Sequence, residues 1–241
     1  MLVTRPEPDN RDTAARLRAL DIEPVACPLL EFEPLPTGLP EARGFAAMAL
    51  TSSNALRGLD ARGTLATYAG LPTFTVGDRT AERAREYGIS DVRSAGGSFG
   101  DLVELLAHTR LSGPVFYPAA RDLAGDLAKS LAPYGVMVIT AQVYAMRPVA
   151  TLPLDMREAL VDGSIGAALF YSRRTAETFV KLAGDGLGRE AQTRLGMLCI
   201  SEAVAEPLVD AHFVRVSLAD HPSEEAMMAL ALSFARDQNA A

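Results

Sequence analysis

An internal repeat constrains this chain more than any other feature. Ala49-Leu50-Thr51-Ser52-Ser53-Asn54-Ala55 reads as a short strand, a serine turn and the start of a helix, and Leu169-Phe170-Tyr171-Ser172-Arg173-Arg174-Thr175-Ala176 repeats it. Thr75-Val76-Gly77-Asp78-Arg79-Thr80-Ala81 is echoed in the same way by Cys199-Ile200-Ser201-Glu202-Ala203-Val204-Ala205. The offset is 120 from Ser52 to Ser172 and 124 from Gly77 to Ser201, a spacing that chance does not readily give twice. Two further units fit the series. Leu2-Val3-Thr4-Arg5-Pro6 leads through a helix to Ile22-Glu23-Pro24-Val25, and Val115-Phe116-Tyr117-Pro118 leads to Gly135-Val136-Met137-Val138. The loop Gly96-Gly97-Ser98-Phe99-Gly100 has its counterpart in Asp220-His221-Pro222-Ser223.

Each copy alternates short apolar strands with amphipathic helices. The strands are expected at 1–4, 23–27, 46–50, 73–76, 91–93, 115–117, 136–141, 167–171, 197–200 and 214–216. The helices include 11–20, 80–87, 99–108, 123–131, 176–182 and 224–234. Such alternation predicts an α/β fold with parallel sheets, and strands apolar throughout are those covered on both faces. Each copy therefore makes one small doubly wound domain, and 241 residues suffice for two. Two arrangements remain open. Each domain is contiguous, or the first unit of each copy packs with the opposite set, so that the chain leaves one domain near Glu31 and returns near Pro148. The segments 30–36 and 142–153 carry proline and read as stiff, extended linkers.

Charge and cysteine narrow the function. Thirty acidic against 23 basic residues leave a net charge of −7, which argues against nucleic acid as a partner. Cys27 and Cys199 lie far apart in apolar surroundings, which is neither a disulfide framework nor a zinc pattern. No apolar run approaches the roughly 20 residues of a membrane span. The Met-Leu-Val-Thr start lacks the charged and apolar regions of a secretory signal, so a cytoplasmic protein, here expected to be a monomer, is the default.

The recurring polar turns carry the chemistry. In open α/β sheets ligands bind at the carboxyl ends of strands, where every one of these turns falls. Ser52, Ser98, Ser172 and Ser223 are natural N-caps, and the helix starts behind them offer N–H groups and partial positive charge to phosphate or carboxylate. One such serine is usually only a cap. Several on the same edge of two matching domains point to a polyanionic ligand between the lobes. Arg5, Arg79, Arg121, Arg147, Arg173 and Arg174 lie near these edges, with Arg5 the foremost candidate to pair with a carboxylate. On an acidic chain the attraction must come from short-range, oriented donors.

Several familiar kits are missing. There is no phosphate-loop lysine motif and no Gly-x-Ser-x-Gly elbow. Gly184-Asp185-Gly186-Leu187-Gly188 follows a helix rather than a strand and reads as a helix-ending turn. His108, His212 and His221 lack ligand spacing, and Glu31 and Glu33 fit a solvated edge.

Val3-Thr4-Arg5-Pro6, the 50–55 and 76–81 turns, the Val143-Tyr144 pair and Phe170-Tyr171-Ser172 together resemble the uroporphyrinogen-III synthase family, in an order that covers the chain from Val3 to about Leu230. The resemblance implies two flavodoxin-like, doubly wound parallel-sheet domains. One is discontinuous, from 1–31 and 150–241; the other is 36–143, joined to it by a two-stranded linker at 32–35 and 144–149. It implies a linear tetrapyrrole substrate, hydroxymethylbilane, bearing acetate and propionate arms, and a product, uroporphyrinogen III, on the route to haem. It also implies a cofactor-independent, cyclising loss of water with inversion of the last ring. Tyr144 matches the family's linker tyrosine and would donate a hydrogen bond to the departing hydroxyl; a tyrosine packed at a domain junction is the plainer reading. Arg5, Ser52, Ser53, Asn54, Gly77, Thr80, Ser98, Ser172, Arg173, Ser201, Ala203 and Val204 are the expected substrate-binding positions. Ser201-Glu202-Ala203-Val204 departs from the family's Gly-x-x-Thr: it lacks the threonine hydroxyl and brings in a carboxylate, so the backbone N–H groups of Ala203 and Val204 would have to serve. The competing reading is a non-catalytic, two-lobed module that binds anions or tetrapyrroles on the same scaffold.

Overall fold

Alternation within each strand decides the architecture. In the computed structural model, which describes residues 1–123, 125–183 and 186–239, Leu2, Ala168, Phe170, Met197 and Cys199 belong to one buried cluster, and their neighbours Val3, Ala167, Leu169 and Leu198 belong to another. Successive side chains of a strand point to opposite faces, so strands apolar at every position need a cover on both.

The strands and helices follow one another as β1 (Leu2–Val3), α1 (Asp9–Arg18), β2 (Val25–Ala26), β3 (Leu30–Pro34), β4 (Ala47–Leu50), α2 (Ser53–Asp60), α3 (Leu65–Tyr68) and β5 (Thr73–Thr75). Next come α4 (Asp78–Glu86), β6 (Val92–Ser94), α5 (Phe99–His108), β7 (Val115–Ala120), α6 (Leu127–Leu131) and β8 (Val138–Pro148). The chain ends with α7 (Leu154–Asp162), β9 (Ala167–Phe170), α8 (Arg173–Ala183), α9 (Arg189–Arg194), β10 (Gly196–Cys199), α10 (Glu202–Asp210), β11 (Val216–Leu218) and α11 (Glu224–Asn239).

Two compact units result: unit 1, Met1–Glu31 with Arg147–Ala241, and unit 2, Phe32–Met146. The sheet of unit 1 has the order β11-β10-β9-β1-β2, with parallel pairing throughout. Taken in chain order as first to fifth strand, this is 2-1-3-4-5, the doubly wound order with its switch point between β1 and β9. The other sheet has the order β3-β8-β7-β4-β5-β6; in its β8-β7-β4-β5-β6 part the repeat units hold the same places but the chain enters at β4, so the order counted along the chain is 5-4-1-2-3, with the switch point between β7 and β4. The four repeated units of the sequence therefore occupy matching places in the two sheets. β1-α1-β2 shares a sheet with β9, β10 and β11, and β7-α6-β8 shares one with β4, β5 and β6.

Helices cover both faces of each sheet. In unit 1, Phe179 of α8 and Leu208 of α10 cover one face, and Leu17 of α1 with Met227 of α11 the other. In unit 2, Leu56 and Leu59 of α2 pack with Met48, Leu50 and Phe116, while Leu102 and Leu106 of α5 with Leu127 and Leu131 of α6 pack against Ala47, Ala49 and Tyr117. Each fully buried leucine or phenylalanine contributes roughly 1.5–3 kcal/mol.

Some elements differ from the sequence reading. The first extended segment forms a strand, β3, and the second continues β8 to 11 residues. The Leu35 N–H donates to the Val143 carbonyl at 2.9 Å, and the Val149 N–H to the Leu29 carbonyl at 3.1 Å. A pairing partner thus turns proline-bearing segments into strand, with the prolines kept to the ends. Helix α6 starts at Leu127 because Asp126 caps it, its Oδ1 accepting from the Lys129 N–H at 3.0 Å. Gly184 and Asp185 of the glycine-rich stretch lie outside the described residues, and the following Gly186 and Leu187 N–H groups donate to the Ala183 carbonyl.

Candidate functional site

In unit 2 the turn after β4 meets Tyr117 of β7 and Tyr144 of β8, which brings together the hydroxyls of Thr51, Ser52, Tyr117 and Tyr144. Thr51 directly follows β4, and its Oγ1 shares a 3.0 Å hydrogen bond with the hydroxyl of Tyr117 on β7. Ser52 is extended (φ −158°) and caps α2, its Oγ accepting from the Asn54 N–H at 3.2 Å. Ser53 opens α2, and Asn54 Nδ2 faces the Met146 sulfur at 3.9 Å. Tyr144 lies on β8, where a register shift between Ala119 and Ala120 of β7 sets Ala120 opposite it. A bulge of this kind re-aims side chains near a strand end. The Tyr144 carbonyl accepts from the Arg121 N–H at 2.8 Å, and its ring stacks on Phe32 with centroids 5.7 Å apart.

These phenols stay protonated near neutral pH. Burial pushes the Tyr144 phenol up, the Ser52 side chain pulls part of the way back, and Tyr117 adds a smaller push upward. Burial likewise raises Tyr117, against the opposing hydrogen bond from Thr51. A neutral phenol is a hydrogen-bond donor and acceptor, so this corner can polarise a leaving oxygen without carrying charge.

Two other turns complete this edge of unit 2. Gly77 precedes α4, and a Cβ there would come within 3.2 Å of Gly97 Cα, so the two loops approach at backbone distance. The Gly97 N–H donates to the Val76 carbonyl at 2.9 Å, and Gly97 itself has φ +113°, a conformation suited to glycine. Thr80 is buried in the first turn of α4, its N–H donating to the Gly77 carbonyl. Ser98 is committed to a capping box: its Oγ accepts from the Asp101 N–H at 3.1 Å, while its own N–H and hydroxyl donate to Asp101 Oδ2 at 2.9 and 2.7 Å. Those bonds hold the Asp101 carboxyl below its ordinary range.

Unit 1 finishes its switch point with charge. Arg5 follows β1, but its guanidinium turns inward: Nη1 donates to Glu224 Oε2 at 2.5 Å and to Thr13 Oγ1 at 3.2 Å, and Nη2 to Asp9 Oδ2 at 3.0 Å. It also lies over the Tyr171 ring, 4.1 Å from the centroid. Glu224 accepts from the Thr13 and Tyr171 hydroxyls as well, each at 3.1 Å. Burial works against the Arg5 charge, yet Asp9 and Glu224 outweigh it and raise its pKa. Burial, then Glu224, raises the Tyr171 phenol. Asn10 binds this strand end from below, Nδ2 donating to the Val3 and Arg5 carbonyls at 2.7 and 2.9 Å. The sequence reading missed Tyr171, Glu224 and Asp9 as the partners that hold Arg5.

The remaining positions of unit 1 sit on the same edge. Ser172 precedes α8, its Oγ accepting from the Thr175 N–H at 3.2 Å. Arg173 is half exposed and pairs with Glu177 at 2.9 Å and with Glu206. Ser201 caps α10 without a side-chain bond, and the Val204 N–H already donates to the Ser201 carbonyl at 3.1 Å. Ala203 is exposed in that first turn, as is Glu202. The predicted residues thus fall into two groups, with Ser52, Ser53, Asn54, Gly77, Thr80, Ser98 and Tyr144 on unit 2 and Arg5, Ser172, Arg173, Ser201, Ala203 and Val204 on unit 1. Tyr117, part of the hydroxyl corner, was read from sequence only as a strand residue. Among the described residues no group of three or more His, Cys, Asp or Glu is placed to hold a metal ion, and no helix is long and apolar enough to cross a membrane.

Comparison with known proteins gives this edge a context. The family model for uroporphyrinogen-III synthase HemD matches residues 11–229. No curated protein matches the chain by sequence. Among solved structures, the fold is similar to uroporphyrinogen-III synthetase from Helicobacter pylori, at 21% identity and a TM-score of 0.67 over 88% of this chain and 93% of that one. It is also similar to a mutant uroporphyrinogen III synthase from Thermus thermophilus, at 22% identity and a TM-score of 0.58 over 99% of each chain. At such identities the structural likeness speaks for the fold alone. The sequence match, which takes in both repeats and every polar turn except the first, carries the assignment: the chain belongs to the uroporphyrinogen-III synthase family, lyase-type enzymes of tetrapyrrole biosynthesis.

Proposed function

We propose that this chain cyclises hydroxymethylbilane to uroporphyrinogen III, with loss of water and inversion of the last pyrrole ring, and that Tyr144 assists departure of the hydroxyl. The observation that carries this reading is the neutral Tyr144 phenol in the hydroxyl corner of unit 2, beside Ser52 and within a family that performs this cyclisation. The phenol donates a hydrogen bond to the terminal hydroxyl of the substrate. The C–O bond breaks as electrons flow in from the attached pyrrole, the departing oxygen takes up a proton and leaves as water, and an azafulvene-type cation remains; the ring proton lost at the end balances the proton taken up here. The far ring attacks through its substituted carbon to give a spiro-pyrrolenine, which fragments and recloses with that ring inverted; loss of a ring proton restores aromaticity.

Uncatalysed closure takes the unsubstituted position, so the protein must favour the harder attack by holding one folded pose. The donors proposed for the carboxylate arms are the turns at Ser52–Asn54, Gly77–Thr80 and Ser98 on unit 2, and at Ser172–Arg173 and Ser201–Val204 on unit 1. Arg5 holds a lesser place in this reading, because Glu224 and Asp9 already satisfy its guanidinium.

The test is a coupled assay that generates hydroxymethylbilane in situ and resolves the two uroporphyrin isomers after oxidation. The wild-type protein is expected to give the inverted isomer faster than spontaneous closure. Only the uninverted isomer, at the spontaneous rate, would reject the proposal and favour a non-catalytic binding module. Tyr144→Phe is expected to lower turnover by about 100-fold, the low end of acid–base contributions, in a protein that still folds. Wild-type turnover would remove Tyr144 from the mechanism.

A further inference from the structure

We propose that Tyr117 is a positioning residue for this site: its hydroxyl grips Thr51 and so fixes the turn that sets the Ser52 cap beside the Tyr144 phenol. The inference rests on the reading of Tyr144 given above. Tyr117 is 2% exposed and sits in an otherwise apolar cluster with Phe74, Leu102 and Leu127. A phenylalanine would fill that space as well. A buried hydroxyl is costly unless it is paired, so the oxygen calls for a partner, and the 3.0 Å bond to Thr51 Oγ1 supplies it.

The position of that bond gives it its effect. Tyr117 reaches the carboxyl edge from the face covered by α5 and α6, whereas Tyr144 belongs to the cluster on the opposite face, with Leu56 and Met48. Thr51 stands at the end of β4, and Ser52 follows it directly. The turn is therefore held from one side by Tyr117 and adjoins Tyr144 on the other.

Register shows that the equivalent pair of positions in unit 1 makes no such bond. Phe116 pairs with Met48 and Leu2 with Ala168, and Met48 and Ala168 are equivalent in the repeat. Tyr117 therefore corresponds to Val3, which has no hydroxyl, while Thr51 corresponds to Tyr171, whose hydroxyl is engaged by Glu224 and Thr13 of its own unit. A bond between these two repeat positions is thus found, among the described residues, in unit 2, the unit that carries Tyr144.

Tyr117→Phe deletes one oxygen and tests the proposal in the full-length protein. Turnover is expected to fall roughly tenfold with KM within about twofold, as a misplaced group costs rate more than binding. Thr51→Val should do the same, and Thr51→Ser, which keeps the hydroxyl, should restore most of the rate. In a Tyr144→Phe background, Tyr117→Phe should cost nothing more. An unchanged rate, a loss confined to KM, or full additivity with Tyr144→Phe would overturn the proposal. A second measurement does not depend on turnover: the Asn54 amide and Tyr144 ring resonances should shift in Tyr117→Phe while the rest of the spectrum holds. Unmoved resonances overturn the positioning role. If wild-type protein yields only the uninverted isomer, the functional reading fails, and these resonances still decide what Tyr117 does.

Discussion

In unit 1 the end of β1 is sealed by Arg5, which bonds to Asp9, Thr13 and Glu224, with Thr13 bonded to Glu224 in turn; in unit 2 β7 offers the Tyr117 hydroxyl to Thr51, with Tyr144 close by. The repeat units hold the same places in the two sheets, so the backbone does not dictate the difference. The side chains do. A guanidinium held by two carboxylates is electrically satisfied and ties the first turns of α1 and α11 to β1. Neutral hydroxyls at the other switch point leave donors that do not repel an acidic ligand on a chain of net charge −7. The two edges are equivalent in the repeat, and their side chains make one a lock of ion pairs and the other a cluster of hydroxyls.

The largest expected effect breaks the lock. Glu224→Ala removes the carboxylate that accepts from Arg5, Thr13 and Tyr171 and leaves a buried guanidinium short of a partner. Urea unfolding should show a loss of about 3 kcal/mol, the scale for breaking one partner from a buried pair. A loss no larger than that of an exposed pair, under about 1 kcal/mol, would show that the network contributes little.

Alkaline pH should separate the units next. Burial raises the Cys27 thiol to about 11 and Cys199 to about 12, and both lie in unit 1. Their unfolded counterparts ionise first, near 9, so above that pH the unfolded state binds fewer protons than the native one. The stability these thiols contribute is present in full below pH 9 and is lost as pH rises toward 12. In unit 2 the raised groups are phenols, whose ordinary value is 10, so its loss begins higher. Hydrogen exchange at pH 9.5 should therefore find unit 1 opening before unit 2. Equal protection in the two units would contradict the assignment.

The smallest effect sharpens the comparison most. Ser52 and Ser172 are repeat equivalents, and each accepts a helix N–H at 3.2 Å. Ser52→Ala and Ser172→Ala should each cost about 1 kcal/mol in unfolding experiments, as lost caps do. Only Ser52→Ala should also lower the turnover number, because only Ser52 adjoins the phenol. Equal kinetic effects would mean that the two turns serve alike.

Much of the fold was legible because the repeat is written in local patterns. Strand, serine and helix start follow one another within seven residues at Ala49–Ala55, and nothing distant is needed to read them. What escaped depends on distant partners. Leu30–Pro34 has two glutamates and a terminal proline and looks like a linker, and it becomes strand only because β8 lies next to it. Helix α7 follows Pro153 without a side-chain cap, so its start lacked the serine that marks α2 and α5. Arg5 was expected to face a ligand, and the carboxylate that claims it is 219 positions away. The Tyr117 bond spans 66 positions, and in a run of apolar residues its hydroxyl reads as ordinary strand. A tyrosine hydroxyl inside an otherwise apolar strand beside the switch point is the one signal that would have singled it out.

The most direct test sets the two edges against each other in one assay: turnover per folded molecule and isomer ratio from hydroxymethylbilane for Glu224→Gln and Tyr144→Phe, with the folded fraction measured alongside. The account predicts that Glu224→Gln is less stable but still makes the inverted isomer at close to the wild-type rate, while Tyr144→Phe is fully folded and slow. A folded Tyr144→Phe that turns over normally, beside a folded Glu224→Gln that does not, would place the chemistry in unit 1 and contradict it.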